Sequence, residues 1–142
     1  EVHRQIYLRR EDAGMIIHAH TKKAMAVSVR KIREVPCLVE EMSQLIGGGI
    51  PITPQYVPAE QHFQLGTAAA ENIGNRNGVI LRNHGPVAVG RNTEEAVLMV
   101  EVIEKACEIF LDQGQMFYAP IPQCYIDSER YRYLYKYGNE NT

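Results

Sequence analysis

The feature that most constrains this chain is an apolar run, Met15-Ile16-Ile17, that ends in His18-Ala19-His20-Thr21. Such a run reads as a buried strand, and side chains on a strand alternate between faces. His18 and His20 therefore point to one side. At about 3.3 Å of rise per residue their Cα atoms lie roughly 6.5–7 Å apart. Two imidazoles at that spacing can converge on one ion, because Zn–N bonds are about 2.0–2.1 Å long. A third histidine, His84, sits in Leu81-Arg82-Asn83-His84-Gly85-Pro86, beside further apolar strand-like segments. His18, His20 and His84 are the candidate ligands of a single divalent metal. Three neutral imidazoles leave coordination positions open, as catalytic zinc sites do. A metal held this way polarises a carbonyl or activates water. The acid and base around it decide which.

Other metal and nucleotide motifs are excluded by spacing. Ala24 and Met25 occupy the window in which cupins place a glutamate, and Lys22 and Lys23 replace the acid of metallo-β-lactamases. There is no HExxH and no GxSxG. Gly47-Gly48-Gly49 lacks the GK[ST] of a phosphate-binding loop and reads as a helix stop. His3 and His62 have no partner at ligand spacing and read as surface or capping residues.

With 142 residues, of which 45% are hydrophobic and 23% charged, the chain is expected to form one globular domain over 1–142. Its formal net charge of −2 gives no bulk attraction for nucleic acid or an acidic membrane. Arg9, Arg10, Lys22, Lys23, Arg30, Lys31 and Arg33 crowd the first third, where a solvated basic face is the preferred reading over an anion site. Cys37, Cys107 and Cys124 are odd in number and widely spread, which fits a reducing, cytoplasmic setting rather than a disulfide framework. No apolar run approaches membrane-spanning length and no signal-peptide pattern is present. Residue 1 is Glu, so a processed or truncated chain is expected.

Strands and helices alternate irregularly, which predicts an α/β layered fold. Glu1 to Arg10 reads as the end of a helix, followed by a turn at 11–14 and the histidine strand over 15–20. Ala24 to Ser28 suits either a helix or a strand. Pro36 opens a short helix with Leu38, Met42, Leu45 and Ile46 on one face. Ile50 to Val57, with two prolines, is an edge strand or an irregular crossing. Pro58 begins a helix over 59–72, inside which Gly66 implies close packing. Gly78–Leu81 and Pro86–Val89 form a strand pair joined by the turn that carries His84. Asn92 or Thr93 caps the longest helix, with a stripe of Val97, Val100, Ile103, Cys107, Phe110 and Leu111. Residues 128–138, rich in tyrosine, form a last helix expected to touch another subunit.

These residues together resemble the class II aldolase/adducin family, over essentially the whole chain. The resemblance rests on His3-Arg4-Gln5-Ile6-Tyr7, Arg10-Glu11-Asp12-Ala13, Ile17-His18-Ala19-His20-Thr21, Ala26-Val27-Ser28, Ile50-Pro51-Ile52, Leu81-Arg82-Asn83-His84-Gly85 and Thr93-Glu94-Glu95-Ala96. L-fuculose-1-phosphate aldolases are the most similar members in length and order. The resemblance implies an α/β/α sandwich around a mostly antiparallel sheet, assembled as a homotetramer. It implies zinc, or another divalent metal, on histidines matching His18, His20 and His84. It further implies a carbon–carbon lyase for a small phosphorylated sugar or hydroxy-carbonyl compound, acting through a metal-stabilised enediolate. Epimerases, dehydratases and the non-catalytic adducin domain share the family and are the alternatives.

The family's glutamate lies four residues before the histidine matched by His3, and its phosphate-binding loops lie upstream as well. The resemblance therefore implies an N-terminal segment ahead of residue 1, with Glu1 two positions too late to stand in. The family also keeps a tyrosine where this chain has Glu40, which becomes a candidate acid/base group. Tyr137-Gly138 matches a tyrosine that reaches a neighbouring subunit's site, which makes Tyr137 the second candidate catalytic group.

Overall fold

The computed structural model describes residues 1–114 and 118–137. Its centre is a three-stranded antiparallel sheet in the order β1 (Met15–His18), β5 (Gly85–Gly90), β4 (Gly78–Leu81). β5 is the middle strand. It pairs with β1 from Met15 opposite Gly90 to His18 opposite Val87, and with β4 from Gly78 opposite Ala88 to Leu81 opposite Gly85. A single parallel bridge, Ile52 to Ile80, extends the sheet beyond β4. A small antiparallel ribbon joins β2 (Glu34–Val35) to β3 (Ile50–Pro51).

Alternation along the strands divides the apolar side chains between two cores. Ile16, Val79, Leu81, Val87 and Val89 pack with Ile6 of α1 (Val2–Arg9) and with Leu65, Ala69, Ala70 and Ile73 of α3 (His62–Ile73). Ile80 and Ala88, on the other face, join Ala24 and Val27 of α2 (Lys22–Ser28) and Met99, Val102, Ile103, Ala106 and Cys107 of α4 (Thr93–Gln113). Helices thus cover both faces of the sheet. A last helix, α5 (Gln123–Tyr135), lies against the segment 42–46 and buries Ile126.

Several expectations are met for the reasons given. Helix α1, the 11–14 turn and the β4–β5 hairpin lie where their patterns place them; the histidine strand begins at Met15 as expected but ends at His18, so His20 lies beyond it. The 24–28 segment resolves to helix α2. Asn92 caps α4, its side-chain oxygen accepting from the N–H of Glu95 at 2.8 Å. Gly66 packs against α1: a Cβ there would sit 2.9 Å from the Glu1 carbonyl oxygen and from Gln5.

Others are corrected. No helix begins at Pro36; residues 36–38 run without regular structure, and the helical turn starts only at Glu40 and continues as a π-helix over Met42–Ile46. It ends because the Gly47 N–H reaches back five residues to the Met42 carbonyl at 2.9 Å, with Gly47 left-handed at φ 94°. Leu38 is only partly buried and is not part of that core. The 50–57 segment is the irregular crossing its prolines predict, paired over Ile50–Pro51 and at the Ile52 bridge, whereas α3 starts at His62 rather than at 59 and α5 at Gln123 rather than at 128. The buried stripe of α4 is rotated: Ala96, Met99, Val102 and Ala106 face inward with Ile103 and Cys107, while Val97 is exposed. Residue 138, at the expected end of the tail helix, lies outside the described residues.

Candidate metal centre

The three histidines come from two neighbouring chain segments at one end of the sheet. His18 is the last residue of β1, and His20 lies two residues on, in the extended link to α2. His84 is in the three-residue turn between β4 and β5, where Asn83 adopts a left-handed conformation at φ 57°. Asparagine is among the few non-glycine residues that tolerate this region. Antiparallel pairing of β1 with β5 then lays the two segments side by side.

The imidazoles converge through their Nε2 atoms. His18 Nε2 stands 3.1 Å from His20 Nε2 and 3.2 Å from His84 Nε2. All three donor nitrogens lie within 4.8 Å of one another. The rings meet edge to face, with centroids 4.8 to 5.0 Å apart. Nitrogens tetrahedrally bound at about 2.0–2.1 Å stand roughly 3.3–3.4 Å apart, so this spacing fits a shared ion.

The tautomer fits too. His18 Nδ1 lies 3.0 Å from the Pro86 carbonyl oxygen, an acceptor only, so Nδ1 carries the proton and donates it there. The lone pair of His18 is thereby left on Nε2, aimed at the other two rings. A carbonyl partner on the distal nitrogen is the usual support of a metal-binding imidazole. Burial lowers the pKa of His18 against the opposing pull of that carbonyl, and the neighbouring His84, His20 and His3 push it the same way. Burial, then the proximity of His20, lowers that of His84. Both effects favour the neutral, ligating form.

Three further contacts hold these loops, and none follows from local sequence pattern. Gly85 provides space: a Cβ on it would lie 2.5 Å from the Ala19 carbonyl oxygen and 3.3 Å from the His20 ring. The Arg82 guanidinium donates to the carbonyls of Ile32 at 2.7 Å and Thr53 at 3.1 Å, and also to that of Arg30. It thus ties the His84 turn to the segment after α2. Glu104 of α4 accepts the backbone N–H groups of Lys23 and Ala24 at 2.8 and 3.1 Å. Gly85 and Arg82 stand in the motif that carries His84, so their neighbourhood was legible although their roles were not; Glu104 gave no signal.

The remaining candidates lie elsewhere in a single chain. Glu40 is exposed at the entry to the π-helical turn, where its carbonyl accepts the Ser43 hydroxyl at 2.6 Å. The next residue, Glu41, pairs with Lys105 of α4 at 3.1 Å. Tyr137 is exposed past the end of α5, its ring 6.0 Å from that of Tyr133 and 5.8 Å from the Arg132 guanidinium. Among the described residues, no hydrogen bond joins Glu40 or Tyr137 to the histidines of the same chain. His3 and His62 are both exposed. The buried thiols of Cys37 and Cys107 are pushed up to about 11 and about 12 by burial and are poor nucleophiles.

Residues 1–111 match the model of the class II aldolase and adducin N-terminal domain. The chain belongs to that family. Among its relatives, rat (Rattus norvegicus) alpha-adducin is 35% identical over 112 residues, covering 76% of this chain and 14% of that protein. The L-fuculose phosphate aldolase of Escherichia coli K12 is 27% identical over 109 residues, covering 77% and 49%. A solved L-fuculose 1-phosphate aldolase superposes with a TM-score of 0.86 at 24% identity, covering 94% of this chain and 62% of that one. The class II aldolase fold is therefore shared. The chain spans about half the length of the aldolase relative and a small part of adducin.

Proposed function

We propose that the chain is the metal-binding part of a class II aldolase-like lyase, acting on a small hydroxy-carbonyl sugar phosphate in the cytoplasm. The observation that carries this reading is the convergence of three Nε2 atoms with the His18 tautomer set by Pro86. His18, His20 and His84 would hold the ion, zinc or another divalent metal. Bound there, it supplies Lewis-acid charge to the oxygens of a hydroxy-carbonyl substrate. The chain's own part is to hold three neutral imidazoles in place and to leave the exposed His20 side open to substrate.

Proton transfer needs a base. His3 of α1 is one of the charges that lower the pKa of His18, after burial and the neighbouring His84 and His20. A carboxylate one helical turn before His3, where the family keeps its glutamate, would share the helix face of His3. Glu40 and Tyr137 are proposed to act across subunit boundaries in a homotetramer, where their exposure is an advantage. The complete assembly would carry the family's three-layer α/β/α sandwich.

A second reading, an assembly domain without chemistry, has in its favour the 35% identity to alpha-adducin. Elemental analysis of the purified native protein separates the two. One equivalent of zinc, together with cleavage of a ketose 1-phosphate to dihydroxyacetone phosphate, supports the lyase. Absence of a bound divalent ion after equilibration with equimolar zinc sinks it.

A further inference from the structure

The strand that begins beside His84 ends in a second cluster of charge. Gly90, the last residue of β5, lies about 17 Å from Gly85 at the usual strand rise of about 3.3 Å per residue. There the 11–14 turn, the start of α4 and helix α5 border a cavity of about 260 Å³. Asp12, Arg91, Glu95 and Arg130 line it with charge, and Val89 and Leu134 give it an apolar wall.

Two cations of this cluster are matched. Asp12 accepts Nε and Nη2 of Arg10, each at 2.7 Å. Glu95 accepts Arg91 Nε at 2.7 Å and the Tyr133 hydroxyl at 2.9 Å. Arg130 is different. Its Nη1 donates to the carbonyls of Gln44 and Leu45 at 2.7 and 2.9 Å. Those bonds fix the guanidinium but bring no opposite charge. Among the described residues Arg130 makes no ion pair, and its Nε and Nη2 donate no hydrogen bond. Gly47 leaves it room, since a Cβ there would stand 3.2 Å from Arg130 Nε. Burial pushes the pKa of Arg130 down against the pull of Tyr133 and Glu95, and Arg10 adds repulsion. A half-buried cation held without a counter-charge favours an anion beside it.

We propose that this cavity is a binding site for a small organic monocarboxylate, held by Arg130. The free edge of the guanidinium, Nε and Nη2, is the planar fork that takes a carboxylate in two parallel bonds. One negative charge balances the one unmatched cation; a second would face the carboxylates of Asp12 and Glu95 in the same wall. The volume is below the roughly 300–1,000 Å³ of drug-sized sites, so the acid is short. Its hydrocarbon part lies against Val89 and Leu134. The site is independent of the metal reading, since it occupies the opposite end of the sheet from the histidines.

The test is titration of sodium butyrate into the native protein, followed through the side-chain Nε–H resonance of Arg130, with acetate, inorganic phosphate and 1-butanol as parallel arms at constant ionic strength. Butyrate is expected to shift the resonance saturably with one-to-one stoichiometry. Acetate, two methylenes shorter, should bind at least about fourfold more weakly. Butanol, without the charge, should leave the resonance in place. Leu134→Glu puts a carboxylate one helical turn from Arg130, where the two can pair. In that variant the resonance should be displaced without ligand and should no longer respond to butyrate. Arg130→Lys keeps the charge without the fork and should bind butyrate at least about tenfold more weakly, read by competition dialysis with radiolabelled butyrate. No saturable shift with butyrate in the parent overturns the proposal whatever the variants do. So does phosphate binding as tight as butyrate, or butyrate binding by a folded Leu134→Glu variant that matches the parent.

Discussion

The carboxylate of Glu104, in the middle of α4, accepts the backbone N–H of Lys23 at 2.8 Å and so caps a helix far from it in sequence. That helix, α2, begins two residues after His20 and has no cap of its own. The Thr21 side chain makes no capping bond, and its hydroxyl is buried without a partner. Lys22 and Lys23 also place positive charge at the positive end of the helix dipole. The capping carboxylate offsets both defects and fixes where the His20 link ends. Glu104→Ala is expected to cost about 1–2 kcal/mol, the usual worth of a helix cap, and to weaken zinc binding. Thermal melting and chelator competition measure the two effects. Unchanged zinc affinity would show that the cap steadies α2 without positioning His20.

Gly85→Ala places a methyl group against the Ala19 carbonyl and the His20 ring. A backbone oxygen cannot be moved aside without opening the β1–β5 ladder. The variant is expected to lose about 1–3 kcal/mol, the range for overpacking, and to bind zinc less tightly than the parent. Urea unfolding gives the first quantity and competition with a chromophoric chelator the second.

Arg82→Lys preserves the charge but not the fork. A lysine ammonium cannot reach carbonyls of Arg30, Ile32 and Thr53 together. Leaving part-buried carbonyls unpaired costs about 1–3 kcal/mol. Hydrogen exchange should quicken in residues 28–33 and in the His84 turn together. Quickening in one segment alone would show that Arg82 does not couple them.

At the far end of β5, Glu95 gives the fold a dependence on acid. Its carboxylate, 8% exposed, receives the Arg91 side chain at 2.5 and 2.7 Å, the Arg91 N–H at 3.0 Å and the Tyr133 hydroxyl at 2.9 Å. Burial alone would raise its pKa, but these donors outweigh it and hold the carboxyl below its ordinary value of 4.5. The stabilisation is therefore full above that value and drains away as pH falls from it through the lower folded value. Glu95→Gln should lose about 1–2 kcal/mol at neutral pH, toward the low end because water screens half-exposed Arg91. Its urea midpoint should depend less steeply on acid than that of the parent. Parallel slopes for the two proteins would show that another carboxylate sets the acid limb.

Local periodicity was enough to place the histidine strand, the β4–β5 hairpin and the helices α3 and α4, because each buries one face with a repeat matched to its geometry. It failed where partners are distant. Val97 fits the helical stripe by spacing, yet α4 lies between the sheet, α2 and the π-helical turn, and those neighbours turn Met99 and Ala106 inward. A π turn that closes five residues back leaves no repeat to detect. The three candidate histidines were legible since histidine types and their spacing persist in the folded site. The supports at Glu104, Arg82 and the Pro86 carbonyl were not, because each joins a side chain to backbone groups remote in sequence.

The Pro86 carbonyl carries a consequence for how this centre tolerates change. It accepts from the Ala19 N–H at 3.1 Å and from the His18 ring at 3.0 Å. Every amino acid has a carbonyl, so the ring orientation of His18 does not depend on which side chain occupies position 86. The proton inventory of the centre is inscribed in the main chain, and sequence drift at that position leaves it intact as long as β1 and β5 keep their register.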